Sequence, residues 1–528
     1  MGDDLVGQLL WAFISSARDI APVEQSVREG CVGGLWLLPT EMHSPGETAE
    51  LINRLQAVAP TPLLVGVDAE AGLGLVMGGA TYLPTAMALG ATGDPRLAYE
   101  AAAVTAAEAR ACGINAVAAP VLDVNINPAN PIINARAFGS DPALVARLGV
   151  AFVEGLQNGP PATGGVRAIG KHFPGHGDTA DDSHLQLAVV DRSRARLEAV
   201  ELPPFRAAID AGAAMLMTAH VAYPALDPAP GTPATLSRPI LADLLRDELG
   251  FQGAVVTDCM NMHAVADNYD VGDAAVRSVL AGCDLVLTHR WEASHEALTA
   301  AARDGRLPHG RLREAAARVR KVKEDIFDPD LARPRPIDPG EARALVGTAA
   351  HDAVAERIAA ASVTIVDGAV PEPPARPLFM ATRMARRFGP SVEAQLRDAL
   401  TAIGWAGADV LMLDPAPDDM QAQRALQRAR EAGWAALLHF NQVQSFDPNA
   451  VLAGEELVSL VARIEGAGVP VSVASMGSPY ILPGFRGATA RLCGYSTCGA
   501  SLRATLRVLA GVAAAVGRLP TLLPEGSA

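Results

Sequence analysis

Residues 166–184 read VRAIGKHFPGHGDTADDSH. The apolar run Val166–Gly170 reads as a short strand, and Pro174 and Gly175 end it. A dense polar stretch overlaps that end: the fourteen residues from Lys171 to His184 hold one Lys, three His and three Asp. The whole chain has 11 His and only three Lys, at 171, 321 and 323. A lone Lys where Arg carries nearly all the remaining positive charge points to a task that a planar guanidinium does not fill. A polar cluster on a loop leaving a strand end is where catalytic groups commonly sit.

The same design repeats on either side of this stretch. Short apolar runs read as strands at Gln8–Ile14, Gly33–Leu38, Leu63–Asp68, Asn115–Leu122, Val166–His172, Met215–Ala222, Ala254–Asp258 and Asp284–Thr288. Amphipathic segments such as Pro95–Ala111, Pro142–Gln157, Ser193–Ala211 and Ala264–Ala281 lie between them. Eight strands, each with a connection long enough for a helix, give the pattern of a (β/α)8 TIM-type barrel over residues 1–326. The rival is an open doubly wound sheet, but no GxGxxG follows the first strand, and Gly72-Leu73-Gly74 opens no clear helix. In a barrel, active sites lie at the C-terminal strand ends. Here those ends carry Asp68 and Glu70, Asp123 and Asn125, Lys171 and His172, His220, Asp258, and His289.

After Lys323 the pattern changes. Residues 327–345 read as a Pro-rich linker, with four Pro between Phe327 and Gly340. From 346 to 528 a second α/β block follows. It has strand patterns at Ser362–Val366, Leu378–Ala381, Asp409–Leu413, Ala435–Phe440, Val469–Ala474 and Ala488–Cys493. Helical patterns run over Pro390–Ile403, Asp419–Ala432, Glu455–Gly466 and Ser501–Val516. The block suits an α/β sandwich and is poor in chemistry, so a structural or oligomerising role is the expectation for it.

Composition bounds the partners. The 528 residues are 50% hydrophobic and 19% charged, with a net charge of −15. That is globular rather than disordered, and nothing basic is clustered enough for a nucleic-acid partner. Six Cys (31, 112, 259, 283, 493, 498) form no CxxC or zinc spacing. The acidic start, Met1-Gly2-Asp3-Asp4, is unlike a secretory leader, and no apolar run approaches the roughly 20 residues of a membrane span. The expectation is a cytoplasmic protein with no membrane partner; its oligomeric state is not legible.

Three chemistries fit the polar set. A metal-dependent hydrolase would take His172, His176, His184 and Asp178 as ligands, but Pro174 and Gly175 break the helix on which an i, i+4 His pair works. A covalent glycosidase would use Asp258 as nucleophile, with a second group as acid/base. In Asp182-Ser183-His184 an extended backbone points residues i and i+2 to one side, so Asp182 can hold His184 in one tautomer. A sugar-binding barrel without turnover would keep the polar mouth and need no such dyad.

The run KHFPGHGDTADDSH closely resembles the signature of family 3 glycoside hydrolases, in the β-N-acetylglucosaminidase branch. Further similarity follows in order along residues 5–325: VGGLWLLP, LLVGVDAE, INAVAAPVLDVN, NARAFGSDP, ELPPFRAAIDAG, MLMTAHVAYP, PATLSRPIL, ELGFQGAVVTDCMNM and AVRSVLAGCDLVL. The resemblance implies a retaining exo-β-N-acetylglucosaminidase acting on small glycosides such as muropeptide fragments, without cofactor or metal. Asp258 would be the nucleophile, and His184 the acid/base with Asp182 as its partner. Asp68, Arg136, Lys171 and His172 would bind the sugar, with His176, His220 and Met262 beside them. A phosphorylase or transglycosylase using the same intermediate, and a sugar-binding pseudoenzyme, are the alternatives. The family's strand-three loop usually runs Asp-x-Glu-Gly-Gly-Arg. Here Asp68-Ala69-Glu70-Ala71-Gly72-Leu73 lacks the Arg and one Gly, which points to a shifted leaving-group or acceptor preference.

Overall fold

The computed structural model describes residues 3–14, 20–159, 165–327, 334–385, 388–443 and 447–524. Eight strands form the first sheet: β1 (Leu10–Phe13), β2 (Gly34–Leu37), β3 (Leu64–Val67), β4 (Ala116–Val117), β5 (Arg167–Phe173), β6 (Met215–Thr218), β7 (Ala254–Val256) and β8 (Val286–Thr288). Their order is β8-β1-β2-β3-β4-β5-β6-β7, every pair parallel. A single bridge, Val256 to Leu285, joins the two ends into a nearly closed barrel.

The barrel's interior is built around two indoles. Trp11 and Trp36 are fully buried and meet edge to face at 5.1 Å. Gly66 in β3 makes room for both: a Cβ there would fall 2.5 Å from Trp11 and 2.6 Å from Trp36. Ile169, Met215 and Val256 complete this inner core, while a larger apolar layer packs the strands against the outer helices.

The strands are shorter than their apolar runs where another constraint intervenes. β4 stops early because Pro120 has no N–H to give the ladder, though Val121 still bridges to Lys171. The run expected as one strand over 215–222 divides, with Val221–Ala222 leaving the barrel to pair with Ala188–Val189. Ser193–Ala211 is likewise two helices, Arg194–Ala199 and Leu202–Asp210, since Pro203 and Pro204 suit a helix start and not an interior. Ala264–Ala281 also divides, the second helix starting where Asp270 caps Val271–Ala281.

Of the stretch expected as a linker, residues 328–333 lie outside the described residues. Pro339–Leu345 is a helix capped by Asp338, with Ala342 buried. The Asn53 side chain donates to the Ile337 carbonyl (2.7 Å) and accepts from its N–H (2.8 Å), so this stretch is tied to the barrel.

The second sheet comprises β9 (Thr364–Gly368), β10 (Leu378–Thr382), β11 (Asp409–Leu413), β12 (Ala435–His439), β13 (Val471–Ser475) and β14 (Ala490–Cys493). Its order is β9-β14-β13-β12-β10-β11, with β9 alone antiparallel. Hydrogen bonds seat it on the barrel. Asn125 Nδ2 donates to the Tyr480 hydroxyl (2.8 Å), and the Thr85 hydroxyl donates to the Tyr495 carbonyl (2.8 Å). Buried Glu108 accepts from the Gly347 N–H and bonds His351 Nδ1, both at 2.9 Å. No helix among the described residues is long and apolar enough to cross a membrane.

At the bottom of β7 and β8, fully buried Asp284 accepts from Arg246 (2.7 Å), Arg311 (3.0 Å), Arg318 (3.3 Å) and the Val255 N–H (3.0 Å). Removing a buried ion-pair partner strands the charges that faced it, at a cost of about 3–5 kcal/mol. Asp284→Ala should therefore lower the thermal unfolding midpoint well beyond Asp273→Ala, which breaks an exposed pair with Arg277 worth about 1 kcal/mol or less. Equal midpoints for the two variants would contradict this account of barrel closure.

Candidate active site

A cavity of about 500 Å³ opens at the C-terminal ends of the barrel strands and is roofed by the second domain. Asp68, Arg136, Lys171, His172, His176, His184, Asp258 and Met262 all line it. Of the ten residues singled out from the sequence, Asp182 and His220 stand behind the lining.

Lys171 is only 2% exposed. Its ammonium lies 2.7 Å from Asp68 Oδ1 and 2.6 Å from Glu70 Oε1. Arg136 closes on Glu70 with two parallel bonds of 2.8 Å, the fork geometry that guanidinium and carboxylate share. Burial alone would raise the Glu70 carboxyl, but Arg136 and Lys171 hold it well below the usual range. Burial alone would lower Lys171; Asp68 and Glu70 outweigh it and raise it. Asp68 also accepts from the Trp36 indole (3.2 Å), which links the site to the barrel's inner core.

Asp123, at 0% exposure, organises the next part. Its Oδ2 lies 2.7 Å from His172 Nδ1, so that nitrogen carries the proton and leaves Nε2 for the cavity. Its Oδ1 accepts the backbone N–H groups of His172 (3.2 Å) and His176 (2.6 Å). The His176 ring spans Thr179 Oγ1 (2.9 Å) and Ser183 Oγ (2.8 Å). Burial, with His172 beside it, depresses His176 to about 4, so it is neutral near pH 7. With both nitrogens engaged inside its loop, His176 holds the loop that carries His184. Asn130 adds to this by donating to the His176 carbonyl (2.9 Å) and accepting from the Ile132 and Ile133 N–H groups.

Asp182 and His184 meet, but not through an extended backbone. Asp182 Oδ1 accepts the His184 N–H (2.8 Å) and lies 2.7 Å from His184 Nδ1, and the Asp182 carbonyl accepts the Leu185 N–H (2.9 Å). The carboxylate closes a turn on its own chain, as Asp commonly does, and the turn brings the imidazole onto it. Asp182 is buried at 5%, whereas the His184 side chain is 22% exposed toward the cavity.

Asp258 follows β7 by two residues and accepts the Cys259 N–H at 2.7 Å. Burial would raise its carboxyl, but His220, His172, His184 and the Cys259 N–H hold it at about 2. It is ionised at neutral pH. His220, expected to bind sugar, is instead fully buried, with Nδ1 on Thr235 (2.7 Å) and Nε2 on the Cys259 carbonyl (3.0 Å). Its strand turns it inward against the loop of Asp258, so it positions that loop and has no nitrogen left for a ligand.

The sequence reading passed over two contributors. Glu70 had been noted at a strand end, and its pairing with both cations emerges only when the loops after β3, β4 and β5 converge. The second domain, thought poor in chemistry, supplies Asn441, Gln442, Ser478, Ser496 and Thr497 to the cavity. Its Tyr495 lies at φ +59, a left-handed value rare for a bulky residue, where its carbonyl accepts from Thr85.

Among the described residues no three His, Cys, Asp or Glu side chains are grouped as a metal ion requires. The mouth of this parallel barrel thus gathers an ionised carboxylate, an Asp–His pair and a cluster of paired charges. Residues 3–322 match the model of the glycosyl hydrolase family 3 N terminal domain. The "Beta-N-acetylglucosaminidase/beta-glucosidase" of Cellulomonas fimi is 34% identical over 373 residues, 69% of this chain and 64% of that protein, just under two thirds of its length. The "Beta-hexosaminidase" of Nitrosomonas eutropha is 38% identical over 263 residues, 48% of this chain and 73% of that one. The solved family 3 β-N-acetylglucosaminidase of Paenibacillus sp. str. FPU-7 superposes with a TM-score of 0.87 at 33% identity, covering 99% of this chain and 98% of that one. The chain belongs to glycosyl hydrolase family 3.

One buried carboxyl beside the loop titrates near neutral pH. Glu201 is fully buried against Gly175, where a Cβ would fall 2.8 Å from its own Cβ. Neither carboxyl oxygen has a hydrogen-bond partner among the described residues, and the Arg196 guanidinium stands off at 3.7 Å. Burial pushes Glu201 from 4.5 up to about 7, with Asp178 adding to the rise and Arg196 and Arg192 opposing it. The folded state thus holds a proton that the unfolded chain releases near 4.5, so stability falls as pH rises from about 4.5 to 7. Glu201→Gln should flatten that part of a plot of unfolding midpoint against pH; an unchanged slope would show that Glu201 does not titrate there.

Proposed function

We propose that this chain is a retaining exo-β-N-acetylglucosaminidase that removes terminal GlcNAc-type sugars from small glycosides. The observation that carries the reading is one cavity holding an ionised carboxylate, Asp258, and an imidazole, His184, oriented by a buried carboxylate. The names of the Cellulomonas, Nitrosomonas and Paenibacillus relatives agree with the sugar.

In this reading the chemistry runs in two displacements. The Asp258 carboxylate attacks the anomeric carbon. The bond to the leaving oxygen breaks, and that oxygen takes the proton from His184 Nε2 as the bond's electron pair settles on it. Asp182 holds Nδ1–H and balances the imidazolium before it donates. In the second step water attacks the same carbon, His184 Nε2 takes the water's proton, and the ester to Asp258 breaks. Two inversions return the original configuration. Asp68, Glu70, Arg136, Lys171 and His172 supply donors and acceptors to the sugar's hydroxyls. A neutral imidazole left after the first step adds no negative charge in front of the incoming nucleophile.

The test is turnover of aryl β-N-acetylglucosaminides, with the first product anomer followed by NMR. The β anomer of free sugar is expected, with or without added phosphate; a sugar phosphate would instead make the chain a phosphorylase. Asp258→Ala should lose several orders of magnitude, and equal rates would overturn the assignment. His184→Ala should lose about 10²–10⁴-fold on alkyl glycosides but far less on a dinitrophenyl glycoside, whose leaving group needs no proton. A uniform loss on both substrates would remove His184 from the acid's role.

A further inference from the structure

The cavity is larger and more apolar than one sugar ring requires. Its volume of about 500 Å³ falls in the range of about 300–1,000 Å³ that holds a drug-sized ligand. The charged groups account for only one part of it. The lining also includes Leu75 and Val76 after β3, Ile132 and Ile133 after β4, and Val443 and Val451 of the second domain. Ile132 and Ile133 pack with Val121 and Ala137 into an apolar cluster against which Val443 leans, so this wall is continuous across the domain boundary. The altered loop of Ala71, Gly72 and Leu73 leads into it through Leu75 and Val76.

The charge balance of the lining is equally informative. Among the described residues its Lys and Arg side chains are Lys171 and Arg136, and both are committed to Asp68 and Glu70. Asp258 adds a third carboxylate, leaving carboxylates in excess over these cations. Among the described residues the second domain's Asn, Gln, Ser and Thr side chains here, Asn441, Gln442, Ser478, Ser496 and Thr497, are all neutral. Among the described residues the Lys and Arg of this lining are already paired, so an anionic leaving group would lose its water without gaining a cation from them, which is costly at low dielectric. An apolar one gains from every methylene it buries.

Resting on the glycosidase reading above, we infer that the leaving group is an uncharged, apolar aglycone seated between the loops after β3 and β4 and the second-domain residues Val443 and Val451. A carboxylate-bearing muropeptide fragment is therefore not its fitted substrate.

The test is binding, so that it stands apart from turnover. Methyl, butyl and 3-carboxypropyl β-N-acetylglucosaminides, and the disaccharide of N-acetylglucosamine with anhydro-N-acetylmuramic acid, are titrated calorimetrically into the full-length Asp258→Asn protein. The butyl glycoside should bind about tenfold or more tighter than the methyl one, and the 3-carboxypropyl glycoside and the disaccharide should show none of that gain. Val443→Arg should narrow or reverse the difference between butyl and 3-carboxypropyl. Equal or tighter binding of either carboxylate ligand would overturn the inference while leaving the chemistry at Asp258 untouched. Undiminished turnover by Asp258→Asn would instead strike the glycosidase mechanism and not the aglycone site.

Discussion

A lysine ammonium buried at the mouth of a barrel is the constraint from which the site is built. Taking Lys171 out of water is affordable only with counter-charges in contact, and the segment after β3 delivers both, one of them gripped in turn by Arg136. Asp68 and Glu70 come from the end of β3 and Arg136 from the loop after β4, and the three side chains lock those loops to β5. The network runs inward as well, since Asp68 accepts from Trp36, whose ring needs the space left by Gly66. The geometry of the proposed sugar site and the packing of the core are thus one problem. An Arg in place of Lys171 would demand a planar fork where the structure offers two carboxylate oxygens around a compact cation.

The two proposed catalytic groups are held in different ways. Asp258 sits two residues beyond a barrel strand, on backbone fixed by His220 and by the Met260 N–H to the Leu287 carbonyl. His184 rides a loop secured by side chains: Asp123 at its start, His176 on Ser183, Asn130 beneath it, and the pair of Asp178 with largely exposed Arg192. Beyond its turn, the His263 N–H meets the His184 carbonyl at 3.4 Å, near the limit of a hydrogen bond. The nucleophile has to meet one carbon in both steps and gains from rigidity. The acid/base has to serve a departing oxygen and then a water, and a side-chain-tethered loop suits that better than a strand end.

Much of the barrel was legible because each strand carries its own local signal: a short apolar run closed by a polar end. Asp68, Lys171, His172 and Asp258 could be placed at the mouth from strand position alone. What was not legible depended on loops meeting. His220 shares the strand-end position, yet its ring turns inward, because the chain bends after Thr218 to start a separate small sheet. The pairing of Asp182 with His184 was foreseen from spacing, but a turn and not an extended segment achieves it. The second domain shows the limit most clearly. Its cavity residues are neutral Asn, Gln, Ser and Thr, types common on any loop. Their role comes from Tyr480, Tyr495 and Thr497 docking on Asn125, Thr85 and Tyr82, contacts more than 350 residues apart in the chain.

That docking gives the cavity two walls with opposite demands. The barrel wall is charged, and its Lys171–Asp68–Glu70–Arg136 cluster is paired within itself, so it rewards a ligand that can exchange hydrogen bonds with groups already neutralised, as a sugar's hydroxyls do. The facing wall combines the Ile132–Ile133 cluster with Val443 and Val451 and offers mostly dispersion and released water. Because Arg136 donates to the Ile132 carbonyl at 2.7 Å while gripping Glu70, the two walls share a backbone segment. Whatever shifts the apolar wall therefore reaches the ion pair, and in the proposed reading recognition of the leaving group is coupled to the grip on the sugar. That coupling lets binding energy from a remote, unreactive part of a substrate help align the bond that breaks.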